Sequence, residues 1–230
     1  MPKAIKRKAV KGKTEENIVE SLQETLKARK KTLLIGAGAA LAIVLIVLGT
    51  FYFMKSRTRK FEELNYTGYR LFYGMGTPMP PQERYRQALA SFEEARKIKK
   101  SPYTLYYIGA SRYELGAYDE AIKIFGELKK SFPEDKNYVP LTTIKSAMAY
   151  AKTGRMNEAL KELDGLVNVK DSPMRDAALA ESANILKSMG KEAQAAERLE
   201  TLKKEYPESP YAKEEKAPAA SAAEKKPTKK

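Results

Sequence analysis

Apolar and polar positions alternate in three different ways along the chain. Thr32–Met54 (TLLIGAGAALAIVLIVLGTFYFM) is 23 residues without a charged side chain, bracketed by Arg29-Lys30-Lys31 and by Lys55, Arg57, Arg59 and Lys60. At about 1.5 Å of rise per residue, such a helix covers roughly 34 Å, enough for a hydrocarbon core of about 30 Å. A cleavable signal peptide has a shorter apolar core, about 7–15 residues, and does not lie behind a long leader. The run is therefore expected to be a single-pass transmembrane signal anchor, with Tyr52 and its aromatic neighbours at the interface. Gly38 and Ala42 set a small-xxx-small spacing that suits helix pairing, although small residues are common in membrane spans. Upstream, Ile18, Leu22 and Leu26 form a narrow helical stripe within Thr14–Lys31. Two readings of it stand side by side: a basic amphipathic helix on the membrane surface, or a helix leading into the span. Residues 1–13 are polar and basic and are expected to be disordered.

Beyond the span the apolar period is helical and it repeats. Phe61–Tyr73 continues without a breaker into the Gly/Pro-rich stretch 74–81, which reads as a loop. Three segments then share one pattern: a small residue (Gly109, Ala147, Ala183), a glycine seven later (Gly116, Gly154, Gly190) and an alanine five after that (Ala121, Ala159, Ala195). Large apolar residues follow at +4 and +7, and Pro133 and Pro207 close the first and last segments. An earlier copy runs from Gly68 to Ala88 with an eight-residue insertion, since its gap is 20 residues where the others have 12. Each unit reads as two antiparallel helices. The glycine ends the first helix, small residues admit close approach, and large residues fill the seam. No unit buries its face alone, so the units stack. The expected fold is all-α: one N-terminal transmembrane helix followed by an α-solenoid of four helix pairs over 61–211, at 61–100, 101–135, 138–171 and 173–208. The remaining 212–230, rich in Ala, Lys, Glu and Pro, is expected to be a disordered tail.

Charge changes this picture less than the formal net value of +14 suggests. Residues 61–211 hold 23 basic and 22 acidic side chains. The excess lies in 1–31 (10 basic, 4 acidic), 55–60 (4 basic) and 212–230 (6 basic, 3 acidic). Basic charge next to a span follows from topology and anionic lipid, so no nucleic-acid partner is expected. Basic residues near the span balance on its two sides. The longer basic N-terminal tail tips the expectation to a cytoplasmic N-terminus and a translocated repeat domain. A cytoplasm-facing repeat domain is the competing topology.

The chain has no Cys and no His. That removes disulfides, thiolate chemistry, the commonest metal ligand and the commonest general base. No phosphate-binding glycine loop or catalytic constellation is present, so neither enzyme activity nor a cofactor or metal is expected. The candidate site is a groove. In stacked helix pairs the first helices line the concave face. The register places Tyr69 and Phe72, then Tyr103, Tyr106 and Tyr113, then Leu141, Ile144 and Met148 on that face, with Ala177, Ala180, Asn184 and Lys187 in the fourth copy. The expected partner-binding residues are Tyr69, Phe72, Tyr103, Tyr106, Tyr113, Ile144 and Met148, because Tyr gives large contact area at low entropy cost. The alternative is that these aromatics pack between helices, which weighs more for Tyr66, Tyr73 and Tyr107.

The repeat pattern, clearest in 103–135, resembles the tetratricopeptide repeat, with Arg112 where that family usually has Tyr. Anchor, short repeat array, the lead-in Glu15-Glu-Asn-Ile-Val-Glu-Ser-Leu and the end Tyr206-Pro-Glu-Ser-Pro-Tyr211-Ala together resemble the bacterial ancillary subunit of the Sec translocon. That resemblance implies an inner-membrane protein with a periplasmic repeat domain, and an interaction scaffold contacting translocon subunits, periplasmic chaperones or secreted chains. The alternative is an envelope-organising protein of cell-wall assembly or division that self-associates through its repeats.

Overall fold

The computed structural model describes residues 15–76 and 78–214. They form two compact units, Met1–Arg57 and Thr58–Lys230. Residues 1–13, expected to be disordered, the side chain of Ile18 and most of the expected tail (215–230) lie outside the described residues.

The described part of the first unit belongs to α1 (Glu15–Tyr73). Residues 15–31 are the opening turns of that helix and lead into the apolar run. All residues of 34–54 are exposed, with large apolar side chains from 52% accessible at Val44 to 77% at Tyr52. By length and composition α1 is long and apolar enough to cross a membrane. Thr50 adds no unsatisfied donor, because its hydroxyl donates to the Ile46 carbonyl at 2.9 Å.

The second unit contains the end of α1 and then α2 (Pro81–Ile98), α3 (Pro102–Glu114), α4 (Tyr118–Ser131), α5 (Tyr138–Lys152), α6 (Met156–Val167), α7 (Arg175–Ser188), α8 (Glu192–Glu205) and α9 (Pro210–Glu214). Consecutive helices pack on one another, and the first helices α3, α5 and α7 also touch in succession. The repeat arrangement is therefore present, and among the described residues every regular element is helical.

One turn builds all four pairs. Gly74, Gly116, Gly154 and Gly190 have φ between 70° and 80°, a left-handed conformation that side chains resist. In each case the glycine N–H donates three residues back and the next N–H donates five back, as in Gly116 to Tyr113 (2.9 Å) and Ala117 to Arg112 (2.9 Å). This is a Schellman cap, which satisfies the last carbonyls of the first helix. The sequence pattern located three of these glycines. Gly74, in the first copy, comes six residues after Gly68 rather than seven. Its loop then runs through prolines to α2, and Arg84 reaches back to donate to the carbonyl of Phe72 at 3.1 Å.

The small positions complement what faces them. Gly68 and Gly109 lie mid-helix against Phe92 and Phe125, and a Cβ on Gly68 would come 2.7 Å from the Phe92 ring. Where the small residue is alanine, the facing residue is leucine: Ala147 clusters with Leu163, and Ala183 with Leu199. Side-chain volume across the seam is thus conserved, as close packing demands.

Polar contacts add register. Asn65 is buried, donating to the Phe61 carbonyl at 2.9 Å and accepting from Thr104 at 2.9 Å, which ties α1 to α3. Ser101 caps α3 by accepting from the Thr104 N–H at 3.1 Å. The second helices are linked by Arg96–Glu127 (2.8 Å), Lys129–Glu162 and Arg198–Asp164 (3.0 Å). Such partly exposed pairs contribute about 0–1 kcal/mol each. At the far end α9 lays Ala212, 5% exposed, on the last pair, and Ser209 donates to Asp176 at 2.8 Å. Residues 212–214, placed in the tail by the sequence reading, are helical.

Gly109→Ala is expected to cost about 1–3 kcal/mol, since its methyl group meets the Phe125 ring. Combining it with Phe125→Leu, the pairing that the third and fourth copies use, should recover most of that loss. Urea unfolding followed by circular dichroism measures both; a double variant no better than the single one would refute the volume rule.

Candidate functional site

Helical spacing gathers aromatic side chains from three successive first helices. Tyr69, Phe72 and Tyr73 come from α1, Tyr103, Tyr106 and Tyr107 from α3, and Tyr138 from the first turn of α5. Tyr107, 7% exposed, is the hub. Its ring stacks on Phe92 at 5.1 Å and 13°, and meets Tyr69 and Phe72 edge-on at 5.8 and 5.4 Å. Tyr103 and Tyr106 approach it at 4.8 and 5.2 Å, and both reach Tyr138, at 5.9 and 5.6 Å. Tilted and edge-to-face pairs of this kind are worth about 0.5–1.5 kcal/mol each beyond burial. Tyr69, Phe72, Tyr103, Tyr106 and Tyr138 are half-buried and Tyr73 is 52% exposed, so the cluster is a continuous, partly open aromatic surface. Beside it, a cleft of about 420 Å³ is lined by Phe61, Glu62, Asn65, Tyr66, Tyr69, Ser101 and Tyr103.

Several of these phenols are held in their neutral form. Burial, and then the neighbouring phenol of Tyr73, push Tyr106 up to about 12. Burial, with Tyr118 next, takes Tyr113 to about 12 as well. Tyr103, Tyr107 and Tyr138 are also raised, mainly by burial. Each keeps a hydroxyl that both donates and accepts. The Tyr73 and Tyr107 oxygens already stand 3.4 Å apart.

Towards α7 the surface changes character. Lys145 donates to Glu114 at 3.1 Å and sits 4.6 Å over the Tyr113 ring. Glu181 is half-buried, and desolvation raises its carboxyl above the ordinary range against the pull of Asn184, Lys152 and Lys145.

The structure brings Tyr69, Phe72, Tyr103 and Tyr106 into one cluster, and Met148 and Tyr113 into a second that shares Tyr106. Tyr113 is only 9% exposed, covered by Lys145 and packed on Tyr118 at 5.2 Å. Ile144 packs instead on the core between α5, α6 and α7. In the fourth copy Ala177 is buried, while Asn184 and Lys187 are exposed. Sequence reasoning missed Tyr138, which lies one turn before Leu141, the repeat equivalent of Tyr103, at the start of α5. It also missed the Glu114–Lys145–Glu181 group.

Residues 103–135 and 177–209 match the tetratricopeptide repeat family. They correspond to α3–α4 and α7–α8, so these two helix pairs are similar to tetratricopeptide repeats, in an array that is all-helical among the described residues. The crystal structure of YrrB, a TPR protein with an unusual peptide-binding site, aligns with a TM-score of 0.48 at 18% identity, over 59% of this chain and 67% of its own. No curated protein sequence matches.

Because desolvation outweighs its partners, Glu181 holds its proton more tightly folded than unfolded. Its contribution to stability is therefore present at low pH and is lost as pH rises through the raised value. Glu181→Gln is expected to melt higher than the parent at pH 7–8, with the difference closing towards pH 4. A melting difference independent of pH would show that the carboxyl is not strained by burial.

Proposed function

We propose that this chain is a single-pass, membrane-anchored interaction scaffold whose partner lies on the aromatic surface of α1, α3 and α5. The observation that carries the reading is that surface: tyrosines from three repeats, half-open and rich in hydroxyls, a composition that binding surfaces favour over solvent-facing ones. The two matched repeats support it, because stacked helix pairs act by presenting such a face. The fully exposed apolar run of 34–54 supports the anchor, since that much exposed apolar surface needs an apolar environment. On this reading the protein sits in a bacterial inner membrane with its N-terminus inside and its repeats in the periplasm. There it serves as an ancillary factor or chaperone-linked adaptor at the secretion translocon.

A photo-reactive residue at position 106 of the full-length chain tests the reading in living cells. Capture of translocon subunits, chaperones or secreted chains is the expected result. Capture of cell-wall or division proteins would move the protein to envelope organisation, and capture of its own chain alone would remove the partner surface. Protease added to intact spheroplasts should digest the repeat domain; protection of that domain would overturn the topology.

A further inference from the structure

Rings elsewhere in the repeat unit are already covered by cations of the chain. Lys145 lies over Tyr113 at 4.6 Å, Arg155 over Tyr150 at 4.6 Å, Arg84 over Tyr85 at 5.5 Å, Lys99 over Phe61 at 5.7 Å, and Arg70 and Arg175 over Tyr66 and Tyr206 at 5.9 Å. Six such pairs in this unit exceed the usual frequency of roughly one per 70–80 residues. Among the described residues no cation lies over Tyr69, Tyr73, Tyr103, Tyr106 or Tyr138, whose rings form a continuous, partly open cluster.

Carboxylates edge that surface, while the cations beside the adjoining cleft, Lys99 and Arg70, already lie over Phe61 and Tyr66. After burial and neighbouring phenols, the charged side chain acting on Tyr106 is Glu114, and after burial the one acting on Tyr138 is Asp135. Asp135 is fixed at the start of α5, its Oδ1 accepting from the N–H groups of Asn137 (3.1 Å) and Tyr138 (2.7 Å). Glu62 stands exposed at the rim of the adjoining cleft. Lys145 supplies an example within the molecule, an ammonium held between a tyrosine face and a carboxylate.

We infer that the aromatic surface formed by Tyr103, Tyr106 and Tyr138, with Asp135 and Glu62 at its edges, takes a basic side chain, Lys or Arg, of a partner polypeptide. This rests on the partner-surface reading above and adds the chemistry of what binds. Ring faces attract the cation, phenol oxygens accept its N–H groups, and the carboxylates hold it in place. Residues 61–211 are nearly neutral, with 23 basic and 22 acidic side chains, so net charge does not draw a basic peptide to the repeats and a preference for one requires a local site.

The test uses the full chain in a neutral detergent at low salt and a short fluorescein-labelled glycine–serine peptide carrying a pair of lysines. The same peptide with both lysines acetylated is the control, and anisotropy is the readout. The lysine peptide is expected to bind about tenfold tighter than its acetylated form, equivalent to about 1.4 kcal/mol. Tyr106→Leu with Tyr138→Leu should abolish that preference, and Tyr106→Phe, which keeps the ring face, should retain it. Equal binding of the two peptides, both lost in the leucine variant, would overturn the cation site while leaving the partner surface standing. Binding indifferent to the leucine substitutions, or no binding of the lysine peptide, would overturn the inference outright. The comparison of the two peptides on the unmodified chain holds even if the leucine variant misfolds.

Discussion

The seam between the two helices of each pair is the constraint on which the repeat unit depends. A small residue on the first helix faces one large apolar side chain on the second, and a left-handed glycine turns the chain back at once. The turn fixes how the helices meet, and the facing pair fixes how closely. Phe92 and Phe125 fill the seam so completely that only glycine fits opposite them, whereas the leucines of the later copies leave room for alanine. Most of the remaining core, including Leu105, Ile108, Leu128 and Leu179, closes around these seams. The ion pairs between the second helices are too exposed to hold the array and serve instead to align it.

Because that constraint is periodic, the helix pairs were legible in the sequence. Small residue, glycine and alanine recur at fixed spacing, and each has a backbone or volume reason to be there. The features that escaped are those without a period. The Gly74 cap is displaced by one position and hidden by the proline loop that follows it. The five-residue helix α9 is too short to show an amphipathic repeat, yet Ala212 is buried. The continuation of the helix past the charged groups at 29–31 and 55–60 was legible by contrast, because charge alone does not stop a helix. With no Pro or paired Gly at either place, α1 runs on from Glu15 to Tyr73.

The candidate site was legible in part, for a related reason. Tyr69, Phe72, Tyr103 and Tyr106 follow from the register of the first helices. Ile144 follows from the same register and yet turns into the core, because α7 approaches α5 closely enough to cover it. Tyr107 was read as a packing residue, and at 7% exposure it is one, but it is also the ring against which the others set their angles. A helical wheel gives the direction of a side chain. How much of it a neighbouring helix covers depends on the stack.

The positions that break the repeat are therefore the informative ones. Seam residues are nearly interchangeable between copies, since every copy must solve the same packing problem. The outward positions of the first helices carry no such demand, and the copies diverge there: tyrosines in α1 and α3, Tyr138 followed by Lys145 and Met148 in α5, Glu181 and Asn184 in α7. A buried or half-buried phenol costs less to leave facing solvent than an aliphatic side chain of similar size, because its hydroxyl stays hydrated. A dense run of them on one face is thus compatible with an unliganded domain that still offers a large apolar area to a partner. The stack supplies rigidity through its seams, and chemistry enters where the repeat imposes nothing.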